Sequence, residues 1–352
     1  MADTTGSNHW FVYGHDQGKE QLAEMLQNGA PPWRDFANTT RRTAYEFLID
    51  DKKKQVINAA IYLRRPLLVT GDPGTGKSSL AYSIAKELEL DKVLVWPITS
   101  RSTLRDALYR YDAIGRLQQA NLGSQNGQPK NAPPPIEKYL TLGPLGTAFA
   151  DCREWPRVLL IDEIDKSDID LPNDLLYIFE EGEFEIPELS RLVDATADEE
   201  TTPKNELENH FEIRKHNAES PADVVTIKDG WVRCKHFPIV IMTSNGEREL
   251  PAPFLRRCLR LPMEQPDQQK LLEIVGAHFT EYTPTLAAFI KHIMDEREKG
   301  ELVATDQLMN AIYLAQQIVL SNSATGTVGK LSKADEERIK EIVLKSISRM
   351  RR

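Results

Sequence analysis

Apolar positions along the chain change their spacing several times, and each change marks an element. Between residues 39 and 63, Tyr45, Leu48, Ile49, Val56, Ala59, Ala60 and Leu63 fall roughly on one face at helical spacing, with Asp50 and Asp51 as a candidate break. Pro66, Leu67, Leu68, Val69 and Thr70 then form a short apolar run ending at a glycine, the pattern of a strand buried on both faces. A helix is predicted over 78–88 and a second buried strand over 93–96. Residues 158–161 and 237–243 repeat the buried-strand pattern. Residues 224–227 and 231–234, separated by Lys228, Asp229 and Gly230, read as a hairpin.

Two stretches lack periodicity. Residues 118–136 are polar and rich in Gly, Pro and Asn, which predicts a surface loop, and residues 194–223 are acidic with few large apolar groups, which predicts an exposed insertion. From residue 264 the strand signal stops. Leu308, Ile312, Ala315 and Val319 keep helical spacing, and Ser332 with Asp335 resembles a capping box opening a last helix that carries Ile339, Ile342, Val343 and Ile347. The expectation is a turn-rich N-terminal extension (1–40), an α/β unit (41–263) and a smaller all-helical unit (264–352).

Composition narrows the function classes. With 352 residues, 40% hydrophobic and 28% charged, the chain can bury a large core without disulfides. A net charge of −9 argues against non-specific binding to nucleic acid or to an anionic membrane. No apolar run approaches the length needed to span a bilayer, and the first residues show no secretory pattern, so a cytoplasmic chain is expected. Cys152, Cys234 and Cys258 share no metal-binding spacing and are read as reduced thiols.

The chemistry begins at Gly71. Residues 71–78 fit GxxxxGK[ST], with a predicted strand before and a helix after. Gly71, Gly74 and Gly76 let the backbone approach a phosphate, and the amides of this loop and of the helix N-terminus form an anion nest. Phosphate contacts are expected from Gly71, Asp72, Pro73, Gly74, Thr75, Gly76, Lys77, Ser78 and Ser79. Lys77 reaches the β- and γ-phosphates in such loops, and Ser78 ligates Mg²⁺. Asp162 and Glu163 end the strand at 158–161, where ligands bind in open parallel sheets. Asp162 is expected to hold Mg²⁺ through water and Glu163 to polarise an attacking water. Alone, the pair also reads as a solvated strand end before Asp165, Asp168 and Asp170; its order after the phosphate loop is what points to nucleotide chemistry.

Residues 157–189 together with the phosphate loop resemble AAA+ ATPases of the MoxR group, close to the dynein-related AAA class. The resemblance covers about 66–262 well and the helical tail more loosely. It implies a P-loop NTPase sheet with helices on both faces and a helical lid. It also implies a ring, usually hexameric, with ATP and Mg²⁺ between subunits, that remodels partner proteins. By the same resemblance, Asn245 is the sensor 1 residue, and Arg257 or its neighbour Arg256 is the arginine finger. Segments 105–151 and 192–236 are insertions that project from the ring face or into its pore; two plain surface loops are the alternative. Where the family carries a sensor 2 arginine this chain has Gln307, whose amide is expected to face the phosphates.

Three other readings compete with the remodelling motor. A nucleotide-gated switch with little turnover gains slightly from the uncharged Gln307. A nucleic-acid motor is disfavoured by the acidic charge and the absence of an aromatic-basic groove. A small-molecule kinase fits poorly with the sensor-like and finger-like segments.

Overall fold

A computed structural model describes residues 12–13, 18–27, 30–31, 34, 49–125, 134–151, 154–197, 209–279, 284–301, 303–324 and 331–345. Residues 39–48 of the first predicted helix, Cys152 and Ile347 lie outside the described residues. Along the chain the strands are β1 (Leu67–Thr70), β2 (Leu94–Pro97), β3 (Tyr109–Tyr111), β4 (Leu140–Leu142), β5 (Val158–Asp162) and β6 (Glu183–Glu185). They continue with β7 (His210–Arg214), β8 (Val224–Lys228), β9 (Trp231–Arg233), β10 (Ile239–Ser244) and β11 (Leu259–Pro262). Two compact units emerge: residues 49–71 with 77–263, and residues 264–352 with 1–48 and 72–76.

In the α/β unit, β11-β1-β10-β5-β2 form one sheet in that order, and every pair is parallel. The inner strands β1, β10 and β5 are near-continuous apolar runs because both faces are covered. Side chains alternate between those faces. Leu67, Ile239 and Ile241 line a cavity of about 140 Å³ with Ile57 and Ala60 of the helix Asp51–Leu63. Leu68, Leu159, Ile161, Val240 and Met242 join the main core with Leu145, Phe149, Leu171 and Leu175 from helices Pro144–Ala150 and Leu171–Glu181. The helix at 51 starts where the Asp50 carboxylate accepts the Lys53 amide at 2.9 Å, so the acidic pair that interrupts the pattern is a cap.

The remaining strands form a second sheet, β3-β4-β7-β8-β9-β6, of which all but β6 come from the two predicted insertions. It corrects several expectations. Residues 113–125 are helical where a loop was expected over 118–136. β7 lies inside the stretch read as an exposed insertion and pairs along its whole length with β8. β8 and β9 are joined by Asp229 and Gly230, both at positive φ, but they pair only at Lys228 and Trp231; β9 runs mainly against β6.

These segments are built into the core. Leu145, Ala148 and Phe149 are fully buried, and the Phe149 ring lies 6.4 Å from Phe184 and 6.3 Å from Phe237. Buried Asp151 joins the two sheets electrostatically, accepting from Arg157 at 2.5 Å just before β5 and from Lys215 at 3.0 Å just after β7. A buried carboxylate needs such partners. The Cys234 thiol donates to the His236 carbonyl at 3.0 Å, and burial pushes the Cys258 thiol up to about 12.

The helical unit packs helices Gln268–His278, Pro284–Glu298, Thr305–Ala324 and Lys333–Val343 around Leu271, Phe289, Ile293, Leu308, Ile312, Ile318 and Ile339. Ser332 caps the last helix as its sequence predicts, accepting the Asp335 amide at 3.1 Å. Ile342, placed on the buried face by spacing, is instead 64% exposed.

Half-buried His216 has its imidazole held below the ordinary 6.5, first by burial and then by Arg110. His292 in the helical unit is lowered as well, chiefly by burial. A base that binds its proton more weakly folded than unfolded makes stability fall as pH drops through the unfolded value. The urea midpoint should therefore be lower at pH 5.5 than at pH 7.5, and His216→Gln should narrow that gap. Equal midpoints at the two pH values would contradict this assignment.

Candidate functional site

Strand register assembles the site. Thr70 pairs with Ser244, Met242 with Ile161, and Pro97 with Asp162, so β1, β10 and β5 end at a common edge. The Gly71 loop, the Asp162–Glu163 pair and Asn245 leave from these three neighbouring strands. The C-terminal edge of such a sheet is where ligands bind.

Gly71 has φ +151°, and a Cβ there would stand 2.2 Å from the Met263 carbonyl oxygen. Gly74 has φ +77°. Neither position tolerates a side chain, which explains the glycine spacing. Lys77 is buried, its Nζ donating to the Gly71 carbonyl at 2.7 Å. Helix Ser79–Glu87 follows. Ser78 precedes it but makes no side-chain cap; its Oγ donates instead to Asp162 Oδ1 at 2.7 Å. Ser79 is exposed at the first helical position.

Asp162 Oδ1 also accepts from Thr243 Oγ1 at 2.6 Å, and the same Thr243 oxygen accepts the Glu163 amide at 2.8 Å. Glu163 needs that tether, because its backbone is left-handed (φ 61°, ψ 51°). For a non-glycine residue such a conformation costs on the order of 1–3 kcal/mol and persists where surroundings over-determine it. A 3₁₀ turn, Ile164–Lys166, follows and returns Lys166 Nζ to Glu163 Oε2 at 2.6 Å. Asn245 Nδ2 donates to the other oxygen, Glu163 Oε1, at 3.2 Å. Fully buried Asp165 fixes the loop after β10, its Oδ2 accepting the amides of Asn245 at 3.0 Å and Glu247 at 2.9 Å.

The structure thus brings Lys77, Ser78, Asp162, Glu163 and Asn245 together, and adds Thr243, Asp165 and Lys166, which sequence reading passed over. Thr243 had a signal: with Ser244 it ends an apolar strand in two hydroxyls. Asp165 and Lys166 had none, because an acidic turn after a strand usually faces solvent. The donor set fits the expected ligands. Loop amides and a buried ammonium suit phosphate, and the Ser78 hydroxyl with the Asp162 carboxylate supplies the oxygen ligands a hard cation takes.

Arg256 and Arg257 end the exposed turn of helix Ala252–Arg257, whose Phe254 is fully buried. Arg257 is ion-paired with Glu180 of helix Leu171–Glu181.

In the helical unit, Gly74 lies against Ala304, with the position of its absent Cβ 2.5 Å from the Ala304 Cβ, and Thr75 Oγ1 donates to the Asp72 carbonyl at 2.9 Å. Asp72 Oδ2 accepts from Gln265 at 3.4 Å, while exposed Pro73 and half-buried Gly76 complete the loop. Gln307 corrects an expectation. Its Oε1 accepts the Ala304 amide at 2.9 Å, and its Nε2 donates to the carbonyls of Val343 at 3.2 Å and Lys345 at 2.9 Å. The side chain thus ties the start of helix Thr305–Ala324 to the end of helix Lys333–Val343, and both amide hydrogens are engaged inside the helical unit instead of being directed at a phosphate.

The chain matches the model of the AAA domain, dynein-related subfamily, over residues 66–258. That is more than half its length, and the chain belongs to this family, with the parallel-sheet P-loop NTPase fold that defines AAA+ proteins. Among solved structures, it is similar to the Holliday junction branch migration motor RuvB of Thermotoga maritima. The two share 14% identity over 83% of this chain and 67% of that one, with a TM-score of 0.38, too low to bear on function. No curated protein matches the chain.

Gln307→Ala should lower the thermal midpoint of the helical unit, since three hydrogen bonds of about 1 kcal/mol each are lost. Differential scanning calorimetry reads this directly. An unchanged melting profile would show that these bonds contribute nothing net.

Proposed function

We propose that the chain is a MoxR-type AAA+ ATPase that hydrolyses ATP at subunit interfaces of a ring, taken to be hexameric, and uses the cycle to remodel or activate partner proteins in the cytoplasm. One observation carries the ATPase reading: the Ser78–Asp162–Thr243–Glu163–Asn245 hydrogen-bond chain beside Lys77. Among the described residues no helix is long and apolar enough to cross a membrane.

In this reading the loop amides and Lys77 hold the β- and γ-phosphates. Ser78 and Asp162 would hold magnesium, which when bound neutralises phosphate charge. Glu163 accepts a proton from water as the water oxygen forms its bond to the γ-phosphorus. The bond to the β–γ bridging oxygen breaks, and its electron pair leaves with ADP. Asn245 orients the water, and Arg257 or Arg256 of a neighbouring subunit adds positive charge to the transition state.

A second reading, a switch with little turnover, draws support from one feature. Both Glu163 carboxylate oxygens already accept bonds from protein donors.

Glu163→Gln should retain ATP binding and lose turnover by about 100-fold or more. Lys77→Ala should lose binding itself. Near-normal ATPase in Glu163→Gln would remove the base assignment, and a wild-type chain that binds ATP without measurable turnover would favour the switch.

Assembly is tested separately. Light scattering should detect an ATP-promoted ring, and mixing Glu163→Gln with Arg257→Ala subunits should restore activity at mixed interfaces. Full turnover by an isolated monomer, independent of concentration, would exclude shared sites.

A further inference from the structure

Both oxygens of the Glu163 carboxylate are engaged by protein donors. Asn245 and Glu163, the two groups that would handle an attacking water, donate and accept between themselves at 3.2 Å. The stronger contact is on the other oxygen, where the Lys166 ammonium stands 2.6 Å from Oε2. The 3₁₀ turn makes this pairing local, because residues three apart in such a turn eclipse one another. The left-handed backbone of Glu163 fixes the base of its side chain beside the turn that carries Lys166. Both side chains are 39% exposed, which keeps the pair weak enough to open.

We propose that Lys166 is a positioning residue that holds the Glu163 carboxylate in a resting orientation, and that Glu163 must leave this ion pair before it can act on water. The proposal rests on the reading of Glu163 as the general base. The ammonium occupies an oxygen that an attacking water would need and pulls the carboxylate along the turn. Lys166 itself is held above the ordinary lysine range, first by its hydrogen bond to Glu163 and further by the charges of Glu247 and Asp165. It therefore remains a cation throughout the physiological range.

Two measurements test the latch. In steady state, Lys166→Met removes the charge and keeps the chain length. Its kcat should rise about two- to fivefold, the range set by an exposed ion pair, with KM for ATP moving less than twofold. Lys166→Arg should recover most of the restraint, and Lys166→Met should gain nothing when combined with Glu163→Gln. Lysine-selective ¹⁵N NMR of the full chain without nucleotide supplies the second readout. An ammonium signal protected by the ion pair should vanish in Lys166→Arg and shift or broaden in Glu163→Gln.

A kcat for Lys166→Met equal to or below wild type overturns the proposal. So does the same gain in the Glu163→Gln background, or an ammonium signal indifferent to Glu163→Gln. Failure of the base assignment looks different, because Glu163→Gln alone then keeps wild-type turnover; the latch falls with it even if the NMR contact is present.

Discussion

The Thr243 hydroxyl is the smallest group on which the site depends. It accepts the Glu163 amide and donates to Asp162, so one oxygen atom holds a left-handed backbone and aims a carboxylate. It can do this only because β10 lies beside β5 in parallel register, which puts Thr243 one position past the Met242–Ile161 pair. The apolar runs of the central strands are what make that register stable. Shifting β10 by a single residue would turn Thr243 to the opposite face and bring Met242 or Ser244 to the acidic pair. Core packing and site geometry are therefore one constraint.

The same logic extends outward from Asp165. Its carboxylate is buried in order to gather two amides of the loop after β10, which places Asn245 near Glu163. The charge within the turn is structural and those at its rim are chemical, although all sit in one short acidic stretch. Burial separates them: Asp165 is 2% exposed, whereas Glu163 is open to water.

Four strands of the central sheet, β1, β2, β5 and β10, were legible from the sequence as apolar runs, and the phosphate loop by its glycine spacing; β11 was not, because Arg260 interrupts its apolar pattern. β3, β4, β6 and β7 were not legible. Each has five residues or fewer, and the partners that make them strands lie far away in sequence: Tyr109 pairs with Leu142, and Glu183 with Arg233. Helical propensity likewise favoured residues 113–125 over the loop that their composition suggested. Gln307 was misread because resemblance aligns positions and says nothing of which way an amide points; its partners, Val343 and Lys345, lie one helix further on. Lys166 escaped notice for a different reason. A lysine three residues after a glutamate is ordinary on any surface, and only the 3₁₀ turn gives it meaning.

The buried helix Pro144–Ala150 has a consequence for anyone redesigning the chain. Its residues belong to the same core as the central strands, with the Phe149 ring beside Phe184 of the second sheet and Phe237 just ahead of β10. The second sheet is thus not a detachable cassette. Grafting it onto a related scaffold, or trimming it to a minimal nucleotide-binding domain, would open a hole beneath β2 and β5 rather than expose a finished surface.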